Sequence, residues 1–272
     1  MGTLRLSVRL TLFVLFLLAT TLLALCLGIA ERIRGDRIDR APWSRRCFRA
    51  CCACLGLKIR QRGEPSPVPA LVVCNHISWT DIPVLGSLFP VTFLSKAEVA
   101  RWPLIGWLAT QGNTLFIHRG AGQAAKSRED ISRTLRRGQS VLIFPEGTTT
   151  SGLTVLPFHR RLLAAASAAE VRVQPVSIGY LRDGQPDHLA PFIGEDSFHH
   201  HLIRLLQQPA PEIRVIFHSP VEVTDATAAE PLARQLHETV MNGLQQIGHG
   251  GPAPTTETGD KTGIARPGEA WS

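Results

Sequence analysis

Leu71-Val72-Val73-Cys74-Asn75-His76-Ile77-Ser78-Trp79-Thr80-Asp81 is the stretch whose reading decides the fold. Its first four residues form an apolar run of strand length, with valines suited to a buried pleated surface. Ser78, Thr80 and Asp81 are all helix N-cap types, and Pro83 suits a first helical turn, so a helix is expected from Ile82 to Leu88. Between the strand and the helix sit an imidazole, His76, and a carboxylate, Asp81, five positions apart. On one continuous helix that spacing would splay the two side chains by about 140°. They can meet only across a strand-to-helix turn. Such a pair is what a general base with an orienting partner requires, because a carboxylate on one ring nitrogen fixes the tautomer and stabilises the imidazolium.

Working outward, the alternation continues. Apolar runs at Val91–Ser95, Thr114–Ile117, Val141–Phe144, Val173–Ile178 and Ile213–Phe217 read as strands. Helical patterns are expected over Ala121–Arg137, Phe158–Ala169, Phe198–Gln207 and Pro231–Ile247. The sequence therefore predicts an α/β fold, a mixed sheet flanked by helices. Gly63 to Pro69 is a proline-rich connector ahead of it, and from His249 the composition turns to Gly, Pro, Thr and charge with few large apolar residues, as in disordered tails. There is no internal repeat.

The N-terminal part has a different composition. Leu10 to Ala30 is an uncharged stretch of 21 residues, long enough as a helix to cross a hydrocarbon core of about 30 Å. It exceeds a usual signal-peptide core and no small-x-small cleavage site follows, while Leu25 before Cys26 argues against a lipoprotein box. Arg5 and Arg9 precede the run, whereas Arg32, Arg34, Arg37, Arg40, Arg45, Arg46 and Arg49 follow it. That asymmetry predicts a single-pass inner-membrane protein with its C-terminal bulk in the cytoplasm. The net charge of +7, from 29 Lys and Arg against 22 Asp and Glu, thus points to an anionic bilayer surface and not to nucleic acid. Cys47, Cys51, Cys52 and Cys54 lack zinc-ligand spacing. With Phe48 and Leu55, Cys47, Cys51 and Cys52 form the apolar arc of an amphipathic helix whose basic side, Arg45, Arg46 and Arg49, is expected to face lipid.

The second key string is Phe144-Pro145-Glu146-Gly147-Thr148, about seventy residues beyond the first. Between the two lie Ser95-Lys96-Ala97-Glu98, then Trp102-Pro103-Leu104-Ile105-Gly106-Trp107, then Gly112-Asn113-Thr114-Leu115-Phe116-Ile117-His118-Arg119. Val173-Gln174-Pro175-Val176-Ser177 follows them. This order and spacing, from about Arg60 to Val223, resembles the glycerolipid acyltransferases with an H-x-x-x-x-D motif, in particular the bacterial 1-acyl-glycerol-3-phosphate acyltransferases. The resemblance implies transfer of a fatty acyl group from acyl carrier protein or acyl-CoA, as co-substrate, to the free hydroxyl of a lysophospholipid, with phosphatidic acid as the leading product. It implies His76 as base and Asp81 as its partner, and it associates the Arg119 block and the Glu146-Gly147-Thr148 block with the glycerol phosphate.

The residue chemistry agrees with those roles. Arg119 can grip a phosphate bidentately, a strand-end turn at Gly147 and Thr148 can present N–H groups and a hydroxyl to an anion, and Lys96 can add charge. Glu146 beside a phosphate would be repulsive unless it held Arg119 or a substrate hydroxyl, so it is assigned to positioning. Cys74 could carry an acyl thioester but reads as the apolar end of a buried strand. The tryptophan-containing block could line an acyl groove, touch the bilayer or pack in the core, and Pro175 marks a strand edge or a bulge. His199-His200-His201 cannot converge on one ion from consecutive helical positions and is expected at the surface, so neither metal nor resident cofactor is expected.

One departure concerns the acceptor. Where many relatives carry a glycine after the phenylalanine and basic residue, this chain reads Phe158-His159-Arg160-Arg161-Leu162. That leaves room for another lysolipid, such as lyso-ornithine lipid, while a non-catalytic lipid-binding protein is the reading from a different class. The expected organisation is a transmembrane anchor over 1–31, a basic amphipathic interfacial segment over 32–62, an acyltransferase domain over 63–248 and a disordered tail over 249–272.

Overall fold

Ala70–Cys74 is buried at every position, which requires cover on both faces of its sheet. In the computed structural model, which describes residues 2–117, 123–223 and 229–248, that cover comes from helices. In chain order the elements are α1 (Gly2–Arg34), α2 (Ala41–Leu55), β1 (Lys58–Arg62), β2 (Ala70–Cys74), α3 (Asp81–Leu88), β3 (Thr92–Lys96), α4 (Ile105–Gln111), β4 (Leu115–Ile117), α5 (Gln123–Arg136), β5 (Val141–Ile143), α6 (Ala164–Ala168), β6 (Arg172–Arg182), β7 (Gln185–Pro186), α7 (Phe198–Gln207), β8 (Glu212–Phe217) and α8 (Ala229–Gly248). Short 3-10 turns lie at Val99–Arg101 and Arg160–Leu162.

The strands run in the order β1-β8-β6-β2-β5-β3-β4, with β7 paired to β6. From β6 to β4 the neighbours are parallel, whereas β8 is antiparallel to β6 and β1 follows β8. The sheet is mixed, as expected. Period-two alternation divides the core. Val72 and Cys74 pack with Val84, Leu85 and Leu205 on the side of α3 and α7, while Leu71 and Val73 pack with Ile131, Leu135, Leu236 and Val240 on the side of α5 and α8.

Several expectations change. The domain does not begin at residue 63, because β1, with its alternating charges, pairs with β8 over Lys58–Arg62. The helix expected over Phe158–Ala169 is broken: His159 donates its backbone N–H to Pro145 O (2.9 Å), and only a 3-10 turn and the short α6 form. Pro175 lies on no edge. Val173 N bonds Val221 O, so by alternation the nitrogen of residue 175 faces β8's side, where regular pairing has ended at Phe217. The tail expected over 249–272 lies outside the described residues.

The N-terminal helices also differ from expectation. α2 is amphipathic as predicted, but Cys51, Cys52 and Leu55 are buried within the protein. On its basic side, Arg45 donates to Ser87 O (3.2 Å) and Leu88 O (2.6 Å), and Arg49 donates to Ser87 O (3.1 Å). These are the orphan carbonyls at the end of α3, so two of the three arginines cap a helix, while Arg46 and Arg49 remain exposed. α1 has the expected apolar length, yet it does not stand off as a stalk. Arg5 and Arg9 at its start bond Gln207 O (3.1 Å) and Gln208 O (2.8 Å) at the end of α7, and Glu31 near its end pairs with Arg40 (2.6 Å). The domain lies alongside the helix, leaving Leu4, Val8, Leu15, Leu18, Leu22 and Ile29 exposed.

Candidate active site

β2, β5 and β3 are parallel neighbours, so their carboxyl ends open on one edge of the sheet, where α/β proteins place their ligands. His76 follows β2 there, Phe144 follows β5, and Lys96 ends β3. The segment from Asn75 to Thr80 is the predicted strand-to-helix turn. Asn75 fixes its start by exchanging two bonds with β6, Nδ2 to Ile178 O (2.9 Å) and Ile178 N to Oδ1 (2.8 Å). Thr150 N and Phe192 N then bond the carbonyls of His76 (2.8 Å) and Ile77 (2.9 Å).

The turn closes on Asp81. Its Oδ2 lies 2.7 Å from His76 Nδ1 and accepts the backbone N–H groups of Ile77 (2.8 Å) and Ser78 (3.0 Å). Its Oδ1 accepts the Tyr180 hydroxyl at 2.6 Å. The carboxylate is fully buried, and four donors fix its direction. The phenol, donating to Asp81, accepts in turn from Thr80 Oγ1 (2.8 Å). Burial, with the Asp81 charge as the second cause, pushes the Tyr180 phenol well above its ordinary range, so it keeps its proton. The arrangement places hydrogen on His76 Nδ1 and leaves the Nε2 lone pair free for chemistry. The imidazole stacks on Phe144, with ring centroids 3.9 Å apart and planes 13° apart.

Glu146 has partners other than those the sequence suggested. It is only 3 % exposed, and its two oxygens accept the backbone N–H groups of His76 and Leu156, each at 2.7 Å. Burial raises its pKa, against the lowering effect of those two bonds. Glu146 therefore fastens the His76 turn to the segment ahead of Arg160. Gly147 and Thr148 are exposed and line the cleft, with Gly147 at φ +72°, a conformation that favours glycine. Arg119 lies outside the described residues, two positions beyond the end of β4 at Ile117.

His76 opens into a cleft of about 1490 Å3. Its lining divides by chemistry: α1, α2 and α4 supply apolar side chains such as Phe16, Leu17, Phe48 and Leu108, while Lys96, Arg160, Arg161 and Glu230 supply charge. Trp102 and Ile105 of the tryptophan-containing block also line it, whereas Trp107 is 37 % exposed. Cys74 is buried, and desolvation first, then the charges of Asp81 and Glu146, push its thiol well above the ordinary range. It is inert as a nucleophile.

The sequence missed Tyr180, the chain's single tyrosine. The available signal was a polar-tipped ring in phase with Val176 and Ile178 on the apolar face of β6. It also missed His201, which is not at the surface with His199 and His200 but fully buried. His201 Nδ1 accepts Trp79 Nε1 (2.9 Å), and its Nε2 contacts Ala190 O (3.1 Å) and Pro191 O (3.2 Å). Burial, then the Arg204 charge, lowers its pKa and keeps it neutral. Among the described residues no group of three His, Cys, Asp or Glu side chains could hold a metal ion.

Comparison with known proteins accords with this geometry. The model of the Acyltransferase family matches residues 58–179. The lyso-ornithine lipid O-acyltransferase of Pseudomonas aeruginosa is 46 % identical over 244 residues, covering 86 % of this chain and 92 % of that protein. That of Rhodobacter capsulatus is 35 % identical, covering 89 % and 91 %. The 1-acyl-sn-glycerol-3-phosphate acyltransferase of Neisseria meningitidis is 32 % identical, covering 65 % and 68 %. In fold, the chain matches the crystal structure of the 1-acyl-sn-glycerophosphate acyltransferase from Thermotoga maritima with a TM-score of 0.62 at 22 % identity, over 91 % of this chain and 98 % of that one. With the motif histidine and aspartate joined at the sheet edge and a relative this similar over nearly its whole length, the chain belongs to the acyltransferase family and is an acyltransferase.

Proposed function

We propose that the protein transfers a fatty acyl group from acyl carrier protein or acyl-CoA to the free hydroxyl of lyso-ornithine lipid. The observation that carries this choice of acceptor is the 46 % identity, over 92 % of its length, to an enzyme named for that lipid. Relatives named for 1-acyl-sn-glycerol-3-phosphate reach 32 % over about two thirds of the chain. Formation of phosphatidic acid, the product implied by the motif order, is the second reading. Cationic groups lining the cleft, among them Lys96, Arg160 and Arg161, favour it.

The chemistry is direct transfer. His76 Nε2 takes the proton of the acceptor hydroxyl as the oxygen attacks the thioester carbonyl, and the imidazolium is stabilised by Asp81 at 2.7 Å. Collapse of the tetrahedral intermediate expels the thiolate, which receives that proton. The inert Cys74 supports a route without an acyl-enzyme. The apolar lining from α1, α2 and α4 suits the acyl chains of both substrates.

Membrane association follows from the exposed apolar face of α1. A helix crossing the bilayer would carry its neighbours into hydrocarbon, including the polar end of α7 at Gln207 and Gln208. The helix is therefore assigned to one leaflet, at the cytoplasmic face of the inner membrane, with the exposed Arg32, Arg34 and Arg37 toward anionic lipid.

The test is transfer of labelled palmitoyl from acyl carrier protein or CoA to lyso-ornithine lipid and to lysophosphatidic acid, with wild type and His76→Ala. The expected result is a higher kcat/KM on lyso-ornithine lipid, falling at least about a thousandfold in the variant. Preference for lysophosphatidic acid would transfer the assignment to the second reading.

A further inference from the structure

Two charged groups lining the cleft pair with each other: Arg160 Nη1 lies 2.5 Å from Glu230 Oε2. Both side chains are more than half exposed, at 62 % and 61 %, so the pair is accessible to a ligand from the cleft. Arg161 lines the same cleft. This corner is fastened to the catalytic turn. Glu146 joins His76 N to Leu156 N, His159 N bonds Pro145 O, and the His159 ring stands 3.3 Å from where a β-carbon at Gly147 would be. A headgroup held at Arg160 and Glu230 therefore lies in the same cleft as the base.

The charge pattern discriminates between headgroups. A phosphate monoester carries a charge of about −1.5 to −2 at neutral pH, and would meet the carboxylate of Glu230 as well as the arginines. An ornithine whose α-amine is amidated by a hydroxy fatty acid keeps one carboxylate and one terminal ammonium. It can take the place of each member of the ion pair, so that no charge is left without a partner. The planar fork of Arg160 suits a carboxylate, and Glu230 suits a primary ammonium.

We propose that Arg160 and Glu230 form a two-point receptor for an amino-acid headgroup, binding its carboxylate and its ammonium respectively, and so determine which acceptor is acylated. The inference deepens the acceptor reading above and rests on it. Neither residue touches His76 or Asp81, so the receptor sets specificity and leaves the proton transfer to the dyad.

The test compares three acceptors: lyso-ornithine lipid, the same lipid acetylated on its terminal amine, and lysophosphatidic acid. Wild type is expected to lose about tenfold in kcat/KM on acetylation, chiefly through KM. Glu230→Gln should lower kcat/KM for the free amine about tenfold, leave the acetylated lipid unchanged and improve lysophosphatidic acid. Arg160→Gln should weaken both ornithine lipids. A wild type indifferent to acetylation, or a Glu230→Gln variant that depresses all three acceptors in proportion, overturns the receptor while the acceptor reading stands. Acylation of lysophosphatidic acid without any of lyso-ornithine lipid overturns both. The acetylation comparison uses the unmodified protein and does not depend on how a variant folds.

Discussion

Asp81 has two oxygens and four donors, and that count explains how His76 is set for catalysis. One oxygen serves the imidazole and two backbone N–H groups, while the other is held by Tyr180. Replacing Tyr180 with Phe removes the donor to Oδ1, so that the carboxylate is no longer held in line with His76 Nδ1. The expected outcome is a kcat reduced about tenfold with KM for the acceptor little changed, because the tyrosine orients the base without touching substrate. An unchanged kcat would reduce Tyr180 to packing. The dyad was legible because its members are five residues apart and the turn between them has its own sequence signals. Tyr180 lies 99 positions from Asp81, and only the parallel pairing of β6 with β2 brings them together. Glu146 was found and assigned to positioning, but its partners, the backbone of His76 and Leu156, were not legible, because a motif names a carboxylate without saying which way it points.

At the scale of elements, strands buried on both faces were readable from their apolar runs. β1 was not, because its charged and apolar residues alternate at the rim of the sheet. The packing of α8 against β6 carries a prediction of its own. Ser177 Oγ bonds Val240 O (2.9 Å) and lies 2.9 Å from His218 Nε2, and a β-carbon at Gly243 would stand 2.2 Å from that hydroxyl. Burial first, then the positive charge of Arg62, lowers the His218 pKa from 6.5 to about 4. The unfolded chain therefore binds a proton that the folded chain refuses. The stabilisation is present above pH 6.5 and is lost as pH falls from there through about 4. Thermal unfolding should show a falling Tm across that window, and His218→Gln should flatten the fall. A variant that tracks wild type throughout would remove His218 as a source of the acid sensitivity.

For the whole molecule, the alternation of strands and helices predicted an α/β sheet, and parallel strands then place the site at their carboxyl edge. What hydropathy could not give was the direction of α1, since an apolar run of membrane-spanning length reads the same whether it crosses a bilayer or lies along a domain. The deciding contacts are at the two ends of the helix, where Arg5 and Arg9 reach α7 and Glu31 reaches Arg40. These put the start and finish of α1 on the same protein body, which is the observation behind the proposed one-leaflet placement. An epitope tag fused ahead of α1 should therefore be removed by protease added to inverted inner-membrane vesicles, whose cytoplasmic face is outward, and survive in sealed right-side-out vesicles. A spanning helix gives the opposite pattern, with the tag protected in inverted vesicles. In that event the bonds from Arg5 and Arg9 to α7 would have to break on insertion, and the cleft would lose the wall that Phe16 and Leu17 provide. Protection of the tag together with full activity would show that the acceptor cleft does not need α1 in the position described.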